Sequence, residues 1–411
     1  MKKDWEIKKL GDLFEITSSK RVFQSEWEKG GVPFYRAREI VKLAQQGYVN
    51  NELFISPEMY ERYSTKYGIP KPGDIMVTGV GTLGICYVVQ VHDRFYFKDG
   101  NIIWLKKNTN TNSRYVEYAF KSDYLRKQID NSMGATVGTY TIIKAKNTVI
   151  PIPPLPEQHR IVTILDEAFA AVATAKANAE KNLKNARELF ESYLQSVFAN
   201  KGEGWEEKKL DDIIESNVIG LIKNTHEQRD NYKYKYVKMN NITRDNCFDL
   251  SKYTCVNATD VEVYKYSLAK NDFLFNTRNS YELVGKTCLF EGFNDEVILY
   301  NNNIMRIRFQ KSINPLFINY SFKTKRIIEK LANIKNGTTN VSAIYYKDLK
   351  NITLLIPSIR EQFSIETKLN VLAARTKELE SIYKQKLADL DELKKSILQK
   401  AFNGELNGVH S

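Results

Sequence analysis

At 411 residues with 42% hydrophobic and 27% charged side chains, the chain is long enough for two to four folded domains. No apolar run approaches the roughly 18 residues of a membrane span, and the lysine-bearing start MKKDWEIKKL lacks the apolar core of a signal peptide, so a cytoplasmic protein with no membrane partner is expected. The net charge of +12 invites a polyanion such as nucleic acid, while four scattered cysteines and four histidines offer no metal-ligand spacing.

The charge is unevenly placed. Residues 1–150 carry 23 Lys and Arg against 16 Asp and Glu, and residues 205–352 carry 23 against 18. The stretches between and after them, 151–204 and 353–411, carry 6 against 7 and 9 against 8. Two cationic blocks separated by neutral segments describe two binding heads rather than a uniformly basic surface.

In chain order, the first block opens on WEIKKLGDLFEI (5–16), followed by the strand VPFYRAREI (32–40) with Arg36 and Arg38 near its end. Such cations most often contact phosphates, and Lys20 and Arg21 join them as candidates. Asp74–Thr78 reads as a strand running into Gly79-Val80-Gly81-Thr82-Leu83-Gly84, and ICYVVQV reads as the strand after it. A dinucleotide site would need a helix after that GxGxxG run, so the glycines form a hairpin tip, with Thr78 and Thr82 as candidate contacts. Gly134-Ala135-Thr136 is a second tip whose backbone N–H groups suit phosphate, and Thr136 and Tyr140 are candidates there.

PPLPEQHRI (153–161) then opens a helix, with Pro156 suited to its first turn. Apolar residues recur at Ile161, Leu165, Val172, Leu183 and Phe190 in a heptad seam that ends near Gly202 or Gly204. The phrase returns as PSIREQFSI (357–365), followed by Ile365, Leu369, Leu372, Leu379, Leu390 and Ile397 and ending at Asn403-Gly404. Matched positions such as Gln195/Gln399 and Phe198/Phe402 keep an offset of 204. A lone seam of about 45 residues, roughly 65 Å at about 1.5 Å per residue, needs a partner. The other copy supplies it, and an antiparallel pair is expected.

The heads repeat more loosely. WEEKKLDDIIES (205–216) echoes the first opening, and YKYVKMNNI (234–242) echoes the Arg36 strand. In NYKYKYVKMNN (231–241) tyrosines and lysines alternate with the strand period, and Lys238 and Asn240 are candidates at its end. NTRNSYELVG (276–285) stands where the glycine loop stood, and Asn276, Arg278 and Asn279 are types that make bidentate contacts with adenine or guanine edges. Thr338 and Thr339, beside Gly337, form the matching second tip. Asn314-Pro315-Leu316-Phe317 lacks the second proline of an amino-methyltransferase pocket and reads as a turn opening a helix. No Ser-His-Asp, HExxH, Walker or metal-spaced carboxylate pattern is present, so no catalytic residue is assigned.

The order basic domain, PPLPEQ-headed helix, second basic domain and second helix closing on Ala401-Phe402-Asn403-Gly404-Glu405-Leu406 resembles the specificity subunit of Type I restriction–modification enzymes over nearly the whole chain. The second head departs from the pattern, with Asn271-Asp272-Phe273 where the first has Gly73-Asp74-Ile75. The resemblance implies two α/β (α+β) target-recognition domains, at 1–152 and 203–355, each reading half of a split, asymmetric double-stranded DNA site. Spacer helices at 153–202 and 356–411 would form an antiparallel coiled coil that sets the gap. It further implies two methyltransferase subunits that bring S-adenosylmethionine and the active site, no cofactor on this chain, and motor-nuclease subunits for cleavage. Rival expectations are an autonomous DNA methyltransferase and a coiled-coil module that tethers proteins.

Overall fold

A computed structural model describes residues 4–130, 138–199, 202–293 and 296–406. They form two compact units, Met1–Glu180 with Lys384–Ser411, and Lys181–Tyr383.

In the first unit, Phe14–Thr17, Ile102–Lys107, Ile75–Thr78 and Cys86–Val88 form an antiparallel sheet in that order. The central strands are apolar on both faces because both faces are covered. Ile75, Val77, Ile103 and Leu105 point into a core with Tyr115, Ala119 and Ile129. The alternate residues Met76, Ile102 and Trp104 pack on Ile40 and Leu43. A smaller mixed sheet places Val32–Tyr35 between antiparallel Phe54–Ile55 and parallel Tyr96–Phe97.

The second unit repeats this plan. Its sheet runs Ile214–Ile219, Ile304–Phe309, Phe273–Asn276, Thr287–Leu289, with Phe273, Phe275, Met305 and Ile307 on one side and Leu274, Cys288 and Ile304 on the other. Its small sheet places Tyr234–Val237 between Thr254–Val256 and Ile298–Tyr300. The alternation of that segment survives folding: Tyr236 is buried and donates to the Leu221 carbonyl at 2.6 Å, while Lys235 pairs with Glu296.

The Gly-Asp and Asn-Asp pairs do one job in both units. Gly73 has φ +89° and Asn271 has φ +72°, and asparagine tolerates the left-handed region better than most residues. The following aspartate is buried at the start of the central strand. Asp74 accepts from Trp104 Nε1 and the Lys71 and Lys107 N–H groups, each at 2.8 Å. Asp272 accepts from the Ala269 N–H at 2.7 Å and from the Arg308 guanidinium at 2.6 and 3.1 Å.

Each head is closed by an antiparallel pair of its first and last strands, Glu6–Lys9 with Val149–Ile152 and Glu206–Lys209 with Thr353–Ile356. The repeated phrase follows immediately, and its glutamine explains it. Gln158 donates to the Pro153 carbonyl and accepts from the Asn112 N–H, both at 2.9 Å. Gln362 donates to the Pro357 and Ser312 carbonyls at 2.9 and 3.2 Å and accepts from the Asn314 N–H at 2.8 Å. Asn112 and Asn314 themselves cap the helices Ser113–Lys121 and Pro315–Ser321. One buried amide therefore fastens the last strand, the long helix and a helix of the head together.

The long helices span Leu155–Ala199 and Ile359–Asn403, and they pack against each other as an antiparallel pair. In the first unit, Ile161, Leu165, Leu398, Ala401 and Phe402 share the head's core. There Arg160 donates to the Leu406 carbonyl at 3.1 Å, and Lys176 pairs with Asp391. In the second unit, Leu194, Phe198 and Leu369 share the other head's core, and Arg187 grips Glu380 at 2.9 and 3.1 Å. Val172 is buried, and Leu183, Phe190, Ile365, Leu372, Leu390 and Ile397 are half-buried. Leu379 is a correction to the expected seam, being 41% exposed. Residue 380 faces Arg187, so 379, a step of about 100° around the helix, turns to solvent.

Candidate nucleic-acid interface

In the second unit three segments far apart in sequence meet. Arg278–Asn279 pairs with Ser342–Ala343, which pairs in turn with Asn336–Gly337, giving a small three-stranded ribbon. The loop after Asn276 is thereby placed beside the Thr338–Thr339 tip, where the Tyr281 N–H donates to the Thr339 carbonyl at 3.0 Å. The turn Met239–Asn241, carrying Asn240 and following Lys238, is joined to the same loop. Lys286 Nζ donates to the Met239 carbonyl at 3.2 Å and to the Ile242 carbonyl. Arg278, Asn240, Thr338 and Thr339 are exposed, and Lys238 and Asn279 are half-buried.

Asn276 is a correction: it is fully buried and not offered to a ligand. Its amide donates to the Arg278 and Asn303 carbonyls at 3.0 and 2.9 Å and accepts from Asn279 Nδ2 at 2.9 Å. Thr78, its counterpart in the first unit, is likewise fully buried, its hydroxyl donating to the Thr82 carbonyl and accepting from the Ile85 N–H. Both side chains close the mouth of a loop. Polar residue type alone does not distinguish that duty from ligand contact.

Tyr140 is a third correction, buried with its hydroxyl 2.7 Å from Thr148 Oγ1 and its ionisation pushed up by burial. The glycines of the first loop answer to close approach. A Cβ on Gly79 would lie 2.8 Å from the Tyr140 carbonyl, and one on Gly84 (φ +70°) 2.7 Å from Ile129 Cδ1. Thr82 remains exposed at the tip, and Thr136 lies outside the described residues.

Among the other cations of the first unit, Lys20 is exposed and Arg21 pairs with Asp99 at 3.1 Å. Arg36 and Arg38 both turn onto Glu39, which is 3% exposed. Burial would push that carboxyl up, but hydrogen bonds from the two guanidiniums outweigh it and hold it below the usual range. Much of their charge is therefore paired with the protein's own carboxylates, Arg38 reaching the exposed Glu52 as well at 2.8 Å.

Sequence reasoning missed Lys286 and Lys335. Lys335 Nζ donates to the Tyr281 carbonyl at 2.6 Å and lies 4.6 Å from that ring's centre. No local signal marks either one, because their carbonyl partners are brought near only by folding. No cluster of three or more His, Cys, Asp or Glu side chains suited to a metal gathers among the described residues. No helix there is long and apolar enough to cross a membrane.

The family model described as the Type I restriction modification DNA specificity domain matches residues 2–185 and again 202–388. The chain belongs to this family. Among relatives of the specificity-domain family, the EcoKI specificity subunit of Escherichia coli K12 is 27% identical over 72% of this chain and 66% of its own length. The EcoBI specificity subunit of Escherichia coli is 24% identical over 97% and 85%. A putative specificity subunit of Haemophilus influenzae, S.HindORF215P, is 32% identical over 38% of each chain. The matched segments thus span from about two fifths to most of these relatives' lengths.

Two solved structures share the specificity-domain fold. A chain from a study of complex assembly and conformational transition in the type I R-M system superposes with TM-score 0.77 at 19% identity, covering 99% of both chains. The HsdS subunit of Thermoanaerobacter tengcongensis gives 0.64 at 17%, covering 99% and 98%.

Proposed function

We propose that this chain is the DNA sequence-specificity subunit of a Type I restriction–modification complex and reads an asymmetric site in two halves, one per head. The observation that carries the reading is a common framework with unlike loops. The central strands Ile75–Thr78 and Phe273–Asn276 end on matched buried side chains, yet one carries a glycine-rich tip with Thr82 and the other carries Arg278 and Asn279. A duplicated scaffold with divergent loops is what reading two different sequences requires. The antiparallel helices act as the ruler between the halves.

The chain itself is non-catalytic in this proposal. Two methyltransferase subunits dock on it and bring S-adenosylmethionine together with the pocket that receives the flipped base. Motor-nuclease subunits join for cleavage, in the cytoplasm where the chromosome lies. The test is co-expression with candidate methyltransferase subunits, followed by sequencing of methylated bases in the host genome. A two-part motif with a fixed unspecified gap is expected. A single continuous motif, or methylation indifferent to sequence, refutes the proposal.

A further inference from the structure

The loop bearing Arg278 and Asn279 spans residues 277–285, and lysines tie it at its C-terminal flank and at its middle. At the flank Lys286 reaches out of the sheet to two carbonyls of the turn around Met239–Asn241. At the middle, Lys335 caps the Tyr281 carbonyl at 2.6 Å and lies over its ring. An ammonium has three donors; two of those on Lys286 and one on Lys335 are directed at backbone oxygens. The first head has a different arrangement. The Thr78 N–H donates to the Ile85 carbonyl as the Asn276 N–H does to the Lys286 carbonyl, so Ile85 occupies the position of Lys286. There the loop is held from behind by Arg126, donating to the Leu83 carbonyl at 2.7 Å.

We propose that Lys286 and Lys335 are positioning residues for base readout: they clamp the 277–285 loop to the Met239–Asn241 turn and to the Asn336–Ala343 ribbon, so that the exposed Arg278 and Asn240 read one half-site as a rigid set, with Asn279 bracing the loop through Asn276 and the Ser280 N–H. This deepens, and rests on, the reading of the second unit as a DNA-recognition head. Their role is not neutralisation of phosphate. A contact that must meet a base edge in bidentate geometry loses discrimination when its loop wanders, whereas a phosphate contact contributes affinity without regard to sequence. Both ammonium groups are shifted below the usual lysine range by burial, in keeping with duty inside the protein.

The experiment compares host-genome methylation by the complex assembled on wild-type chain, Lys286→Met, Lys335→Met and the conservative Lys286→Arg. Each methionine variant is expected to introduce degenerate positions in one half of the motif only. Discrimination there should fall roughly 5- to 150-fold, the worth of a bidentate base contact, with partial recovery in Lys286→Arg and the other half unchanged. On duplexes carrying the wild-type motif, the slope of log affinity against log salt should stay the same. A slope reduced by about one unit would make the lysine a phosphate contact and overturn the inference. So would an even loss of methylation with both half-motifs intact, or an unaltered motif at full occupancy. A wild-type complex without any bipartite motif would defeat the underlying reading instead, and the inference with it.

Discussion

Replacing Gln362 by leucine tests the glutamine bracket at the root of each long helix. Gln362 is fully buried and satisfies three backbone groups: the Asn314 N–H and the Ser312 and Pro357 carbonyls. Leucine is similar in volume but leaves all three without that partner in a site closed to water. Each abandoned group costs about 1–3 kcal/mol, the N–H at the upper end because a carbonyl can tolerate partial satisfaction. Burial of the added apolar surface returns about 1–2 kcal/mol. The net loss is about 3–5 kcal/mol, in the tail reserved for broken buried networks. Gln158→Leu abandons two groups rather than three, so about 2–4 kcal/mol is expected there. Urea unfolding of the full chain measures both, with Trp205 as the one tryptophan of the second unit. At slopes of about 2–3 kcal/mol per molar, Gln362→Leu should lower the midpoint of that unit by about 1–2 M. A loss below about 1 kcal/mol, or a larger loss in Gln158→Leu, would refute the bracket argument.

Arg278→Ala should cost about 1–3 kcal/mol of discrimination at one half-site, read by competition between duplexes with single substitutions; weakening that is uniform across sequences would assign Arg278 to phosphate. Insertion of one heptad at matched points of both long helices adds about 10 Å, about three base pairs of gap at roughly 3.4 Å each, and methylated-base sequencing should report the longer gap with both half-sites intact. Gly84→Ala meets Ile129 at 2.7 Å in a left-handed backbone and should cost about 1–3 kcal/mol in unfolding free energy. Gly81→Ala, with the same φ and nothing within 4 Å, should cost only the backbone part, about 1 kcal/mol. The Glu39 carboxyl is held below its ordinary value of 4.5, so its stabilisation is present above that pH and is lost as pH falls through the lower, folded value. Glu39→Gln should therefore flatten the acid limb of a stability-versus-pH curve below about pH 4.5, a change that unfolding melts across that range would detect.

The long helices were legible because they obey short-range rules. A heptad of apolar residues, with a proline in the first turn of one helix and just before the start of the other, located Leu155–Ala199 and Ile359–Asn403, and repetition supplied the partner. The hairpin around Gly79–Gly84 and the helix opening at Asn314-Pro315 were equally local. The candidate site was less legible. Thr78, Asn276 and Tyr140 have the chemistry of ligand contacts, yet each spends its polar atoms inside the protein, Thr78 and Tyr140 on partners four to eight residues along the chain and Asn276 on loop neighbours and on the Asn303 carbonyl. Leu379 fits the heptad by number, but the Arg187–Glu380 pair decides which face is turned inward.

By itself, then, the sequence determined a duplicated chain with two cationic heads and two rods, since charge distribution, periodicity and internal repetition are written in residue order. Only the tertiary structure decided which polar side chains are buried struts and which are presented, because a hydrogen bond between residues tens of positions apart leaves no trace in either residue's neighbours. Lys286 shows it most clearly: alone in the sequence it is one surface-type cation among 61 Lys and Arg, and only its two carbonyl partners, more than forty residues upstream, make it a clamp.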